Sequence, residues 1–128
     1  MSVMAIQDKL LARLQSMPGA PPIAYDNGPI VKDLPRIVVQ YVTSPQRRFD
    51  MEGRTQVDAE INARIETEKH TTTKEASEIL ALIQSHFRPT TKFNGVQIMD
   101  APRAVFSRPG PGSGVFEVPV IIRGRADF

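Results

Sequence analysis

The chain of 128 residues contains no cysteine and no tryptophan. The first absence excludes a disulfide framework and a cysteine-bearing zinc site, so a hydrophobic core has to carry the fold. It leaves the redox compartment open, and synthesis in the cytosol is compatible with it. Aromatic residues are scarce. Six Phe and two Tyr, several at core-like spacing, leave few rings for stacking on nucleic-acid bases. An excess of one charge is also missing: sixteen Lys and Arg stand against fourteen Asp and Glu, a formal charge of +2, and the pI of 9.2 overstates how basic the chain is. Arg47, Arg48 and Arg54 form one local cluster and Arg123 and Arg125 another, each with acids close by. Neither is the dense basic stripe that binds a duplex by counterion release. No apolar run approaches the roughly 20 residues that span a bilayer. Asp8 and Lys9 fall where a signal peptide needs an unbroken apolar stretch. The expectation is one soluble domain over 1–128, outside the secretory route and without a membrane partner.

What is present centres on residues 56–88. Val57-Asp58-Ala59-Glu60-Ile61-Asn62-Ala63-Arg64-Ile65-Glu66 alternates apolar and polar for ten residues, the period of a long strand with one face buried. Thr72-Thr73-Lys74-Glu75 follows, a capping box in which Thr72 caps a helix and Glu75 bonds back to the cap's amide. Behind it Ala76, Ile79, Leu80, Ile83 and Phe87 form an apolar helical stripe, ended by Pro89. Val57, Ile61, Ile65, Ile79, Leu80 and Ile83 are the expected central core, each contributing roughly 1.5–3 kcal/mol when fully buried.

Upstream, residues 3–17 carry Ile6, Leu10, Leu11 and Leu14 at helical intervals, with Asp8 early and Arg13 late to suit the helix dipole. Pro18-Gly19 stops that helix, and Pro21-Pro22 leads into a short strand at Ile23-Ala24-Tyr25 before an Asp26-Asn27-Gly28 turn. Residues 36–43 are β-branched and aromatic and are expected to pair with the central strand as an antiparallel hairpin. Its connection, 44–54, is far longer than a tight turn. Phe49 and Met51 lie in it beside Arg47, Arg48, Asp50 and Arg54, which marks it as an interaction loop. After the central helix, 89–94 reads as a linker. A third long strand region then starts at Gly95 and runs toward Phe106, with an edge or bulge at Pro102. A Gly/Pro loop over 107–114 leads to a last strand, 115–123. The fold class is α+β in the order α, β, β, α, β, β, a mainly antiparallel sheet packed against two helices, with long hairpin loops.

Catalytic constellations are not apparent. His70 and His86 read as surface or capping residues. Asp58 and Glu60 share a strand face, as two catalytic carboxylates do, but Asn62, Arg64 and Glu66 continue it, so the face reads as a solvated or subunit-facing ladder. Asp26-Asn27-Gly28 lacks the other ligands of a calcium loop, and the glycines of 110–114 enter a strand without the Lys of a phosphate loop. No enzyme activity, metal or cofactor is expected.

The order of features resembles the small tail terminator proteins of long-tailed bacteriophages and phage-like particles. The likeness lies in the N-terminal helix, the step Pro22-Ile23-Ala24-Tyr25-Asp26-Asn27, the long hairpin, the capped helix and the closing Gly114-Val115-Phe116-Glu117-Val118-Pro119-Val120. It implies an α+β subunit, six copies of which form a ring. Such a ring ends tail-tube growth, binds the head-proximal connector or stopper, and lets double-stranded DNA pass through its lumen without specific binding. It implies assembly in the bacterial cytoplasm and a place at the tail-neck junction of the particle. The interface candidates are Arg47, Arg48, Phe49, Asp50, Met51 and Arg54 in the loop, and Asp58, Glu60, Arg64 and Glu66 on the strand. The competing reading is a small nucleic-acid-binding or other interaction module of α+β fold.

Overall fold

A computed structural model of the chain describes residues 2–25, 34–42, 56–68, 74–104, 108–109 and 115–127. In order, the elements are α1 (Val3–Gln15), β1 (Ile23–Tyr25), β2 (Arg36–Tyr41), β3 (Gln56–Glu68), α2 (Lys74–His86), β4 (Lys92–Phe93), β5 (Val96–Ile98), β6 (Arg103–Ala104), β7 (Arg108–Pro109) and β8 (Val115–Asp127). The chain is an α+β domain with two helices and a mostly antiparallel sheet.

The long alternating stretch is β3, and it pairs antiparallel with β8 over thirteen positions, from Gln56↔Asp127 to Glu68↔Val115. On its other side β3 takes β2, from Arg36↔Glu66 to Tyr41↔Ile61, as the expected hairpin partner. β1 continues the sheet parallel to β2, with Ile23 opposite Ile37. The far edge of β8 is covered piecewise by β5, β6 and β7. Pro119, which has no N–H to donate, sits where this edge passes from β6 to β7.

Four expectations need correction, the first being the Gly/Pro loop of 107–114, in which Arg108 and Pro109 form β7 opposite Glu117 and Phe116 of β8. The third long strand is two short ones, β5 and β6, separated by residues 99–102, and Pro102 lies at that break rather than at a bulge within one strand. The linker of 89–94 contains β4, which folds back on β5 through Asn94 and Gly95, both at positive φ (48° and 83°). That pair of left-handed residues is what a two-residue hairpin turn requires. The last strand runs four residues past Arg123, to Asp127. Thr72, the 26–28 turn and the loop over 107 and 110–114 lie outside the described residues.

One face of the sheet holds the core. Val57, Ala59, Ile61, Ala63 and Ile65 of β3 and Val118, Val120, Ile122 and Ala126 of β8 are buried against Ile6, Leu10 and Leu14 of α1 and Ala76, Ile79 and Ile83 of α2, with Phe87 just beyond. Leu80 lies at the margin, partly buried. α1 can come close because Ala59 faces Gly124 across the strands. A Cβ on Gly124 would lie 2.8 Å from Val96 Cγ1 and 3.2 Å from Leu10 Cδ2. Ser2 caps α1 by accepting a hydrogen bond from the Ala5 N–H at 3.1 Å.

Candidate functional site

Both helices lie on the core face, which leaves the polar side chains of β3 and β8 to build the other one. Pleating puts Asp58, Glu60, Asn62, Arg64 and Glu66 on that face of β3. The register sets them opposite Arg125, Arg123, Ile121, Pro119 and Glu117 of β8, while β2 adds Gln40, Val38 and Arg36 on the other flank. The four strand residues expected at an interface are thus brought together on one surface. Arg47, Arg48, Phe49, Asp50, Met51 and Arg54 lie outside the described residues, as does His70.

The charges on this face are paired across strands. Arg125 forks onto Asp58, Nε to Oδ1 at 2.7 Å and Nη2 to Oδ2 at 3.2 Å, a bidentate contact. Arg123 Nη2 reaches Glu60 Oε2 at 3.4 Å. At the other end Glu66 and Glu117 stand directly opposite one another, a like-charge juxtaposition that is unfavourable by itself. Two guanidinium groups offset it. Arg36 Nε donates to Glu66 Oε1 at 2.6 Å and Arg64 Nε to Glu66 Oε2 at 2.8 Å, while Arg64 Nε also lies 3.7 Å from Glu117 Oε1. Glu66 is only 4% exposed and Glu117 7%. Glu66 therefore departs from a solvated ladder: it is a buried carboxylate held by arginines of its own chain. Between the two ends, the Asn62 side-chain oxygen is buried without a hydrogen-bond partner among the described residues.

Sequence reasoning grouped Arg123 and Arg125 as a basic cluster and did not single out Arg36 or Glu117. Alternation over 115–123 puts Glu117 and Arg123 opposite the apolar Phe116, Val118, Val120 and Ile122, but Arg125 lies beyond the expected strand and only the register shows which acid each arginine meets. Beside this face a concavity of about 250 Å³ is lined by Glu60, Asp100, Arg103 and Arg123, two acids and two arginines. Among the described residues no group of three or more His, Cys, Asp or Glu is placed to hold a metal ion. None of their helices is long and apolar enough to cross a membrane.

Two polar clasps fix α1 against the rest. Gln7, 4% exposed, donates from Nε2 to the carbonyls of Val42 at 2.8 Å and Glu60 at 3.0 Å, closing the end of the β2–β3 ladder. Next to it the Tyr41 hydroxyl donates to Asp8 Oδ1 at 2.6 Å. Burial, then that hydrogen bond and the nearby Asp8 charge, push the Tyr41 phenol well above the ordinary tyrosine range. At the other end Arg13 Nε donates to the His86 carbonyl at 3.0 Å, and His86 Nε2 lies 3.0 Å from the Arg13 carbonyl. That contact requires the proton on Nε2. Each side chain thus serves a terminal carbonyl of the opposite helix, and the Arg13 guanidinium packs 4.7 Å from the centre of the Phe93 ring.

No protein-family model matches the chain, and no curated protein matches it. Among solved structures, one whose name carries no word about activity superposes with a TM-score of 0.62 at 16% identity, over 98% of this chain and 94% of its own. At that identity the likeness is one of fold: the arrangement of helices and sheet is shared, nearly end to end, with a protein already solved.

Proposed function

We propose that the chain is a structural subunit that closes into a ring, six copies by its resemblance to tail terminators, and caps the head-proximal end of a phage-type tail tube. In this role it stops tube growth and presents a rim to the connector or stopper protein of the neck, within a virion or phage-like particle assembled in the bacterial cytoplasm. The observation that carries the reading is the outer sheet face, where long strands present arginines and carboxylates already matched within the subunit. Such a surface exerts little net pull on phosphate. It suits a wall past which DNA slides, and it weighs against the nucleic-acid-binding alternative, because Arg123 and Arg125 each hold an acid. The short β1 and β4 at the ends of the sheet present backbone groups that neighbouring copies are suited to cover.

Electron microscopy of particles from a strain lacking the protein tests this. Tails of uncontrolled length, or tails detached from heads, are expected. Normal head-attached tails in its absence overturn the proposal.

A further inference from the structure

Away from the outer face, a groove of about 410 Å³ opens where β1, β2 and α2 begin. Its walls include Pro22, Leu34, Pro35 and Leu82, and Glu75 and Glu78 add two carboxylates. Leu82 is 39% exposed, and neither carboxylate is in an ion pair with a described residue. The volume lies within the roughly 300–1,000 Å³ of clefts that bury a ligand. An apolar floor beside two unpaired acids fits an apolar side chain carried on a segment of positive potential.

The first turn of α1 is such a segment. Met4 is 64% exposed, more than any other large apolar side chain among the described residues, and its unbranched thioether adapts to an irregular cleft. That turn contains no acid, so the positive end of the helix dipole is uncompensated there. Ser2 takes up the N–H groups of Ala5 and Ile6, which leaves those of Val3 and Met4 directed out of the helix end. Asp8, the nearest acid along α1, is held by the Tyr41 hydroxyl. Within one subunit the turn and the groove stand apart. Gln7 is fixed at the carbonyls of Val42 and Glu60, where β2 ends, whereas Leu34 and Pro35 precede the start of β2. The strand from Pro35 to Val42 separates these two ends by roughly 23 Å. From the far end α1 runs back toward Tyr25, whose hydroxyl Gln15 reaches, so Met4 stands at the distant tip, held there by the helix. We infer that the groove seats Met4 and the first turn of α1 from a second copy of the chain. This is the contact that joins subunits in the ring proposed above, and it rests on that reading. Glu75 and Glu78 then face the free N–H groups of the seated turn. Two different surfaces meet head to tail, the heterologous contact from which rings close.

Since the chain has no cysteine of its own, mixing Met4→Cys with Leu82→Cys under mild oxidation reads the contact directly. Covalent dimers are expected in which peptides joined 4 to 82 outnumber those joined 4 to 4 or 82 to 82. In parallel, Met4→Glu puts an acid where the helix dipole favours one, so the fold is kept while a third carboxylate is set against Glu75 and Glu78. Self-association should weaken by more than about tenfold, and Glu78→Lys added to that variant should restore it. Circular dichroism confirms that each variant is folded. A 4–82 join no more frequent than the other two, at concentrations where native mass spectrometry shows wild-type oligomers, overturns the inference. So does an intramolecular disulfide as the sole product of the Met4→Cys/Leu82→Cys double variant, or a wild-type chain that never self-associates. Oligomers indifferent to Met4→Glu sink the contact but leave the ring. A confirmed join together with normal tails in the deletion strain sinks the tail role but leaves the contact.

Discussion

Ile61 and Glu60 are neighbours on β3 with opposite fates. Ile61 is fully buried, whereas Glu60 points to the other face and meets Arg123. Ile61→Asp places an unpaired carboxylate in the core and is expected to unfold or aggregate the protein. Glu60→Ala loses one partly exposed ion pair and is expected to change stability by less than about 1 kcal/mol. Thermal melts of both variants check this, and equal midpoints would mean the faces of β3 are wrongly assigned. Arg64 is a different kind of charge, because its removal leaves Glu66 and Glu117 facing each other with less compensation. Arg64→Ala is expected to cost about 2–3 kcal/mol, below the full cost of breaking a buried pair since Arg36 remains on Glu66; urea denaturation measures it. Tyr41 supplies the pH dependence. Its folded-state pKa is raised, so the folded chain holds the phenolic proton more tightly than the unfolded chain does. The resulting stability is complete below about pH 10, the unfolded value, and is lost as pH rises from there toward the folded one. Tyr41→Phe should therefore flatten the alkaline fall in stability above about pH 10. Parallel stability–pH curves for variant and wild type would dismiss this role.

Among the elements, the close seat of α1 rests on Gly124. Gly124→Ala is expected to push α1 and β5 apart and cost about 1–3 kcal/mol, with chemical-shift changes in a 15N–1H spectrum concentrated at Leu10 and Val96. An undisturbed spectrum and melting point would mean that the packing there is looser than described. How legible an element was in the sequence follows from its length and from how one-sided its environment is. β3, α1 and α2 were readable because ten or more residues repeat one period against a single core. β2 followed from composition, since β-branched residues were bound to seek the central strand. β4, β5 and β6 have two or three residues each, too few for any period, so they merged into a linker and one long strand. The Asn94-Gly95 pair did announce a hairpin and was passed over. The parallel pairing of β1 had no signal, because three residues carry no register. On the outer face the alternation told which side Glu66 takes, but depth is a property of the assembled sheet, so its burial and its meeting with Glu117 and Arg36 were not readable.

At the scale of the molecule, the elements converge on β8. It runs beside β3 along its whole length and carries β5, β6 and β7 on its other edge. It is also the last of them to be synthesised. While residues up to 104 emerge from a ribosome, α1, β1, β2, β3 and α2 are all present, yet β3 lacks the neighbour that completes its inner surface. Val57, Ala59, Ile61, Ala63 and Ile65 then have helices on one side and an open flank where Val118, Val120 and Ile122 belong. Long-range pairing of this sort is slow and exposes sticky edges until it is finished. The order of synthesis thus leaves the inner surface of β3 open along one flank until β8 is available to pair with it.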